Sequence, residues 1–204
     1  MKYRNLLIVA ITFLGFQQVW SQTSFKPGLR GGFSFSNISE MNSDYKTDFY
    51  FGAFGEINIK KHYALQPEIT YIREGADNLA RIYYDGDVKK IEYRDLQLGY
   101  LSFGLMNKFT FGPGIQFQFG PTLDILVNDN LVRRKSYKDV AILAGVAYRL
   151  SSGLTIEGRI KKGLADVLES SYYNNDGSNT VLFSDYNRNV NFQLGLSYAF
   201  EGKK

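Results

Sequence analysis

The chain has 204 residues, enough for one domain, and 24 Lys and Arg against 20 Asp and Glu give it a formal net charge of +4. Lys2 and Arg4 belong to the leader described next, so the remainder is too weakly basic to predict a nucleic-acid partner. The absence of cysteine excludes a disulfide framework, a thiol nucleophile and a lipid-modified cysteine, and a single histidine, His62, excludes a multi-histidine metal centre. No cofactor is predicted.

Residues 1–21 have the pattern of a cleavable export signal. A basic start is followed by an apolar run over 6–16 and a polar exit, with a cleavage position between Ser21 and Gln22. The apolar run is shorter than the roughly 20 residues that a membrane-spanning helix needs. We therefore expect residues 1–21 to be removed and 22–204 to form the mature domain.

The rest of the chain alternates between bulky apolar residues and small or polar ones, which is the pattern of strands with two different faces. Eight such segments follow one another, and the excess of 15 Tyr, 16 Phe and 20 Gly agrees with strands. In the fifth segment the apolar set is Ile115, Phe117, Phe119, Leu123 and Ile125, and the opposite set is Gln116, Gln118, Gly120, Thr122 and Asp124.

The connections between these segments alternate between short and long. The short ones are 60–62, 111–114 and 150–153, and the long, polar ones are 38–48, 74–95, 128–139 and 163–188. This regularity predicts an all-β fold, an eight-stranded antiparallel transmembrane β-barrel with short periplasmic turns and long extracellular loops. The expected location is the cell outer membrane.

A soluble lipocalin-like barrel or a β-sandwich would also show alternation. Two features favour the membrane barrel: the polar faces carry residues small enough to fill a narrow interior, and aromatics lie near the ends of the apolar faces, as in an aromatic girdle. These aromatics are Tyr63, Tyr71, Phe103, Phe109, Tyr148, Tyr198 and Phe200.

Six segments of the mature chain follow one another in a specific order and spacing: 26–32, 63–71, 74–76, 112–121, 145–149 and 192–200. In these segments the chain resembles the outer-membrane β-barrel domain of PorT-like and "porin family" proteins. The resemblance implies an outer-membrane barrel, with an accessory role in protein secretion as one option. Tyr198 and Phe200 resemble the C-terminal signal read by the barrel assembly machinery. Ser102-Phe103-Gly104 departs from the family pattern of an acidic residue and a proline, which weakens the transfer of a subfamily role.

The inward faces carry a set of nearly balanced charges. Eight strands leave an interior just wide enough for side chains, where unpaired charges are costly, so we expect these residues to pair as a rigid plug. The alternative is an ion or proton path. The residues are Arg30, Glu56, Glu68, Lys108, Asp124, Arg149, Glu157, Arg159 and Lys161.

Catalysis finds little support in the sequence. Lipid A-modifying barrels place a histidine with a serine partner near the outer rim, whereas His62 falls on a predicted periplasmic turn. We predict no enzyme activity.

The external loops remain as the candidate functional surface. Arg133, Arg134 and Lys135 form a basic triplet suited to lipopolysaccharide phosphates, and the tyrosine-rich loops suit an extracellular protein or glycan. The expected surroundings are outer-membrane lipid and lipopolysaccharide. The resulting prediction is a structural or interaction barrel with partner-binding loops, and the alternative is a narrow porin or transport channel for small solutes.

Overall fold

The computed structural model describes residues 24–39, 43–130, 137–165 and 188–200, without the side chains of 81–85 and 89. No helix among these residues is long and apolar enough to cross a membrane. The described residues form eight strands: β1 Ser24–Ile38, β2 Lys46–Lys60, β3 Tyr63–Asp85, β4 Val88–Phe111, β5 Ile115–Asp129, β6 Lys138–Arg149, β7 Leu154–Gly163 and β8 Asn189–Ala199.

The strands close into an antiparallel barrel. Each strand pairs with the next, and β8 pairs back onto β1. Cross-strand partners followed from Ser24 through all eight strands return to β1 at Ser34, ten residues further along. With a rise of about 3.3 Å per residue and a strand spacing of about 4.8 Å, this stagger tilts the strands about 40° from the barrel axis. The predicted fold is confirmed.

The two ends of the barrel differ, as the connection lengths predicted. The short-turn end carries the turns 61–62, 112–114 and 150–153, and the long-loop end carries the other four connections. Gly112 and Gly153 take φ values of 54° and 86°, a backbone region that favours glycine, which explains why these turns are so short.

The predicted loop 74–95 is wrong in one respect, because it continues the sheet. β3 and β4 remain paired past a bulge between Ala76 and Leu79 and are joined by a two-residue turn. The two turn residues are Gly86 and Asp87, and Gly86 has a φ of 63°, so the turn is a common Gly-Asp hairpin signal that the polar composition concealed. We call residues 76–96 the projecting hairpin.

The outward face of the wall is apolar over most of its height. Along β5, outward residues from Ile115 to Val127 are apolar, and twelve residue steps at this tilt span about 30 Å, close to the hydrocarbon thickness of a bilayer. Several large apolar side chains are more than half exposed, as expected only for a surface that meets lipid. They include Leu29, Phe33, Phe51, Phe119, Ile142, Val146 and Leu194.

Candidate functional site: the charged barrel interior

All nine predicted interior residues point into the barrel. Eight of them are buried, and Arg149, near the short-turn end, is partly exposed. Strand alternation places them there, because each residue lies an even number of positions from an inward neighbour on the same strand. The structure brings them together in three clusters.

The central cluster joins β1, β3 and β7. Arg30 donates through Nη2 and Nε to the two carboxylate oxygens of Glu157, at 2.6 and 3.1 Å, and through Nη1 to Glu68. Arg159 Nη2 donates to both oxygens of Glu68, at 2.8 and 3.0 Å. The Tyr50 hydroxyl donates to Glu157 at 3.2 Å. Two cations and two carboxylates are thus paired near the middle of the apolar band.

The short-turn cluster is built around Glu56. One of its carboxylate oxygens, Oε2, accepts from Lys108 Nζ and from Arg149 Nη2, each at 2.7 Å. Lys108 also donates to Gln66 Oε1 at 3.3 Å. With two cations on one carboxylate, this cluster carries one excess positive charge.

The long-loop cluster is built around Lys161, which the sequence predicted, and Glu74, which it did not. Lys161 Nζ lies 2.6 Å from Asp124 Oδ2 and 2.6 Å from Glu74 Oε1. Ser102 donates to the other oxygen of Asp124 at 2.5 Å, and Asn189 donates to Glu74. Here two carboxylates share one cation, so the excess charge is negative.

Glu74 completes the charge balance of the three clusters. The predicted set held five cations and four carboxylates, and the three clusters with Glu74 hold five of each. Its position two residues beyond Ile72 on the inward face of β3 was the available signal. That signal was missed because the residue was assigned to a loop.

An apolar cluster fills the interior beside and above the long-loop cluster. Its side chains come mainly from β3, β4 and β5 and are all buried. Lys161 Nζ lies 5.7 Å from the ring centroid of one member, Tyr100, within range of a cation–π contact. We call this set the apolar cap: Ile38, Tyr50, Ile72, Ala76, Leu79, Leu96, Leu98, Tyr100 and Leu126.

Aromatic side chains lie on the outward face toward both ends of the barrel. At the short-turn end, Tyr63 packs against Phe109 with ring centroids 5.1 Å apart, and Tyr198 packs against Phe200 at 5.4 Å. Nearer the long-loop end, Tyr71 lies 5.5 Å from Phe51. Phe200 N donates to Pro27 O at 2.7 Å, which ties the end of the closing strand to β1. An assembly role of Tyr198 and Phe200 stays a prediction.

The remaining predicted residues contribute no described site. His62 is exposed on the turn between β2 and β3, with Nδ1 3.0 Å from Thr110 O. Across the described ranges, no three His, Asp or Glu side chains are placed to hold a metal ion. Arg133, Arg134 and Lys135, like the leader 1–21, lie outside the described residues.

A closed eight-stranded barrel with an apolar outer wall and a polar, paired interior defines a membrane β-barrel. A family model for the outer membrane protein β-barrel domain matches residues 20–202. The chain belongs to this family and is an outer-membrane protein. The short-turn end therefore faces the periplasm and the long-loop end the exterior.

Solved structures of similar architecture come from several bacteria. Neisserial surface protein A aligns with a TM-score of 0.50 at 13% identity, covering 88% of this chain and 100% of that chain. OprG from Pseudomonas aeruginosa gives 0.48 at 10% identity, covering 88% and 98%. Ail from Yersinia pestis gives 0.47 at 10% identity, covering 86% and 98%. The first likeness supports the fold alone, and comparison with curated protein sequences gives no significant match.

Proposed function

We propose that the protein is a non-enzymatic structural and interaction barrel, closed to ions and presenting its long-loop end to partners. The observation that carries this proposal is the pairing of the interior charges in three clusters that join facing strands. A cluster such as Arg30 with Glu68 and Glu157 crosses the barrel from β1 to β3 and to β7. Ions would have to break these pairs to pass, and separating buried partners is costly.

The projecting hairpin is the candidate interaction element. It is held at its base, where Lys46 Nζ pairs with Asp77 Oδ1 at 2.7 Å and Asp44 forms a bridge with Asp77. Further out, Ile91 and Tyr93 are 55% and 61% exposed on one face of β4. A paired β-ribbon with exposed aromatic and apolar side chains suits recognition of an extracellular protein or glycan.

A binding experiment tests the hairpin. Removing 80–93 and joining Leu79 to Arg94 through Asn-Gly leaves a pair that is already in register, so we expect the barrel to fold. Binding to immobilised glycans and proteins by whole cells is expected to fall to background. The double substitution Ile91→Ser, Tyr93→Ser keeps the ribbon and should lose most of the binding. Retained binding in both variants would contradict the assignment.

A narrow channel is the second candidate, favoured by buried polar atoms without a described partner. Both side-chain polar atoms of Gln116 are in this state, as are Thr122 Oγ1, Asn191 Oδ1 and Gln193 Oε1. Buried polar groups without protein partners are usually hydrated, so water along β5 and β8 would favour a path for small polar solutes.

Single-channel recording separates the two candidates. Protein purified from outer membranes and inserted into planar bilayers in concentrated KCl is expected to show no discrete openings, because the clusters and the apolar cap close the interior. Insertion is checked on the same preparation in vesicles, where a folded barrel resists protease and migrates differently on a gel before and after heating. Steady openings of uniform size would replace the closed barrel with the channel.

A further inference from the structure

A groove runs along the outward, lipid-facing wall across β5, β6, β7 and β8. It has a volume of about 570 Å³ and is lined by side chains that are almost entirely apolar where they are accessible. Phe117 and Phe119 form one wall, and Phe192 and Leu194 form the other. Most of the remaining outer wall carries large side chains, so this stretch is a local depression in an otherwise filled surface.

Two small residues create the depression. Ala144 on β6 lies opposite Phe119 and Ile160, and Gly158 on β7 lies opposite Val146 and Leu194. A Cβ atom added at Gly158 would meet no atom within 4 Å. Close backbone packing therefore does not require glycine at position 158, in contrast to Gly32, Gly52 and Gly120. The open space above Gly158 belongs to the groove on the outer surface.

A positive charge lies level with the upper end of the groove. Gly158, Ile160 and Lys162 are successive outward residues of β7, so Lys162 lies about 10 Å above Gly158 along the barrel axis. Lys162 is exposed, and the groove extends up to Phe35 on β1 at about the same height. Leu164, directly after β7, and Val127 on β5 continue the apolar wall above this level, so Lys162 reaches the lipid phosphates by extending its long side chain toward the exterior, as cationic side chains near a membrane surface do.

We propose that this groove binds an acyl chain of a phosphorylated outer-leaflet lipid of the lipid A class, with a phosphate of that lipid paired to Lys162. The acyl chain lies over Ala144 and Gly158, between the two apolar walls of the groove, where it needs no hydrogen bonds. The long-loop end faces the exterior, so the leaflet that reaches Lys162 is the outer one. The arrangement combines an apolar groove with a cation whose side chain extends toward the headgroup.

A second copy of the barrel fits the groove less well. A twofold interface through this wall would bring Lys162 of each copy into the same apolar contact, with like charges desolvated together. The second copy would also need a protruding row of side chains to fill the groove. A flexible hydrocarbon chain meets neither difficulty.

Native mass spectrometry of the protein extracted from outer membranes in mild detergent tests the proposal, with lipid A as the probe. Wild-type barrels are expected to retain about one lipid A each. Ala144→Leu and Gly158→Leu fill the groove and should displace about two methylenes of the acyl chain. Because burial of a single methylene changes affinity about fourfold, the retained fraction should fall at least ~tenfold.

Ala53→Leu is the matched control, because Ala53 faces outward between Leu29 and Ile69, away from the groove. It should retain lipid A as wild type does. Lys162→Gln should lower retention about fivefold, the effect of one lysine near an anionic lipid, and Lys60→Gln at the other end should not. Heat-modifiable mobility on a gel confirms that each variant is folded.

Three results would overturn the proposal. The first is equal lipid A retention by folded Gly158→Leu and wild type. The second is retention of phospholipid in place of lipid A. The third is a wild-type dimer that Ala144→Leu dissociates, which would assign the groove to a second copy.

Discussion

Arg30→Ala is expected to destabilise the barrel by about 3–5 kcal/mol, the usual effect of breaking a buried ion pair by removing one partner. The substitution removes the cation that joins Glu68 to Glu157 and leaves both carboxylates in the middle of the barrel interior, with Arg159 alone to compensate them. The measurement is urea unfolding of the refolded protein in lipid vesicles, followed by circular dichroism.

Arg73→Ala is the control for this prediction. Arg73 pairs with Asp48 at 3.2 Å, but its side chain is 37% exposed at the long-loop end, where water screens the pair. Its loss should cost less than about 1 kcal/mol. Equal effects of the two substitutions would show that the central cluster is not the structural element proposed here.

Gly120→Ala is expected to prevent most of the protein molecules from folding, although it adds only one methyl group. A Cβ atom at this inward position of β5 would lie 2.1 Å from Leu105 O on β4. The obstacle is backbone, which cannot rotate away, so the two strands would have to separate locally. We expect a cost of about 3 kcal/mol or more, at the upper end of overpacking effects. The yield of heat-modifiable folded barrel measures it.

Gly158→Ala is the matched substitution on the opposite face of the wall. The added methyl group meets no neighbour within 4 Å, and alanine restricts the unfolded chain more than glycine does. Its folded yield should equal or exceed that of wild type. If Gly120→Ala also folded normally, β4 and β5 would be less tightly packed than their contacts indicate.

The fold was predictable from sequence because each strand meets two different environments. The alternation of Gln116, Gln118 and Thr122 with Phe117, Phe119 and Leu123 records which side faces lipid, and connection lengths supply the direction of each strand. The same alternation placed the nine interior charges without knowledge of which strands face one another.

The pairing of those charges was not predictable from sequence. Which carboxylate Arg30 contacts depends on the ten-residue stagger, which brings β7 and β3 across the barrel at the same height as β1. The stagger arises from closure of the whole ring and has no local sequence signal. Glu74 was missed for a different reason, since the charged residues that follow it suggested a loop where cross-strand pairing continues.

The length of the projecting hairpin determines how far its tip lies from the membrane surface. From Arg73, near the top of the apolar band, to the turn after Asp85 there are twelve residue steps along β3, including the bulge between Ala76 and Leu79, so a fully extended path gives the greatest reach. At about 3.3 Å per residue they reach roughly 30 Å above the hydrocarbon boundary if the barrel tilt persists, and about 40 Å if the ribbon stands upright. A ribbon of this reach carries its tip well beyond the lipid headgroups, which add only about 5–8 Å to the hydrocarbon core on each side. The length of the hairpin therefore limits which partners its tip can contact, whatever the side chains at the tip. Shortening the ribbon in register by even numbers of residues should reduce the distance from the membrane at which the tip makes contact, while the barrel wall stays the same.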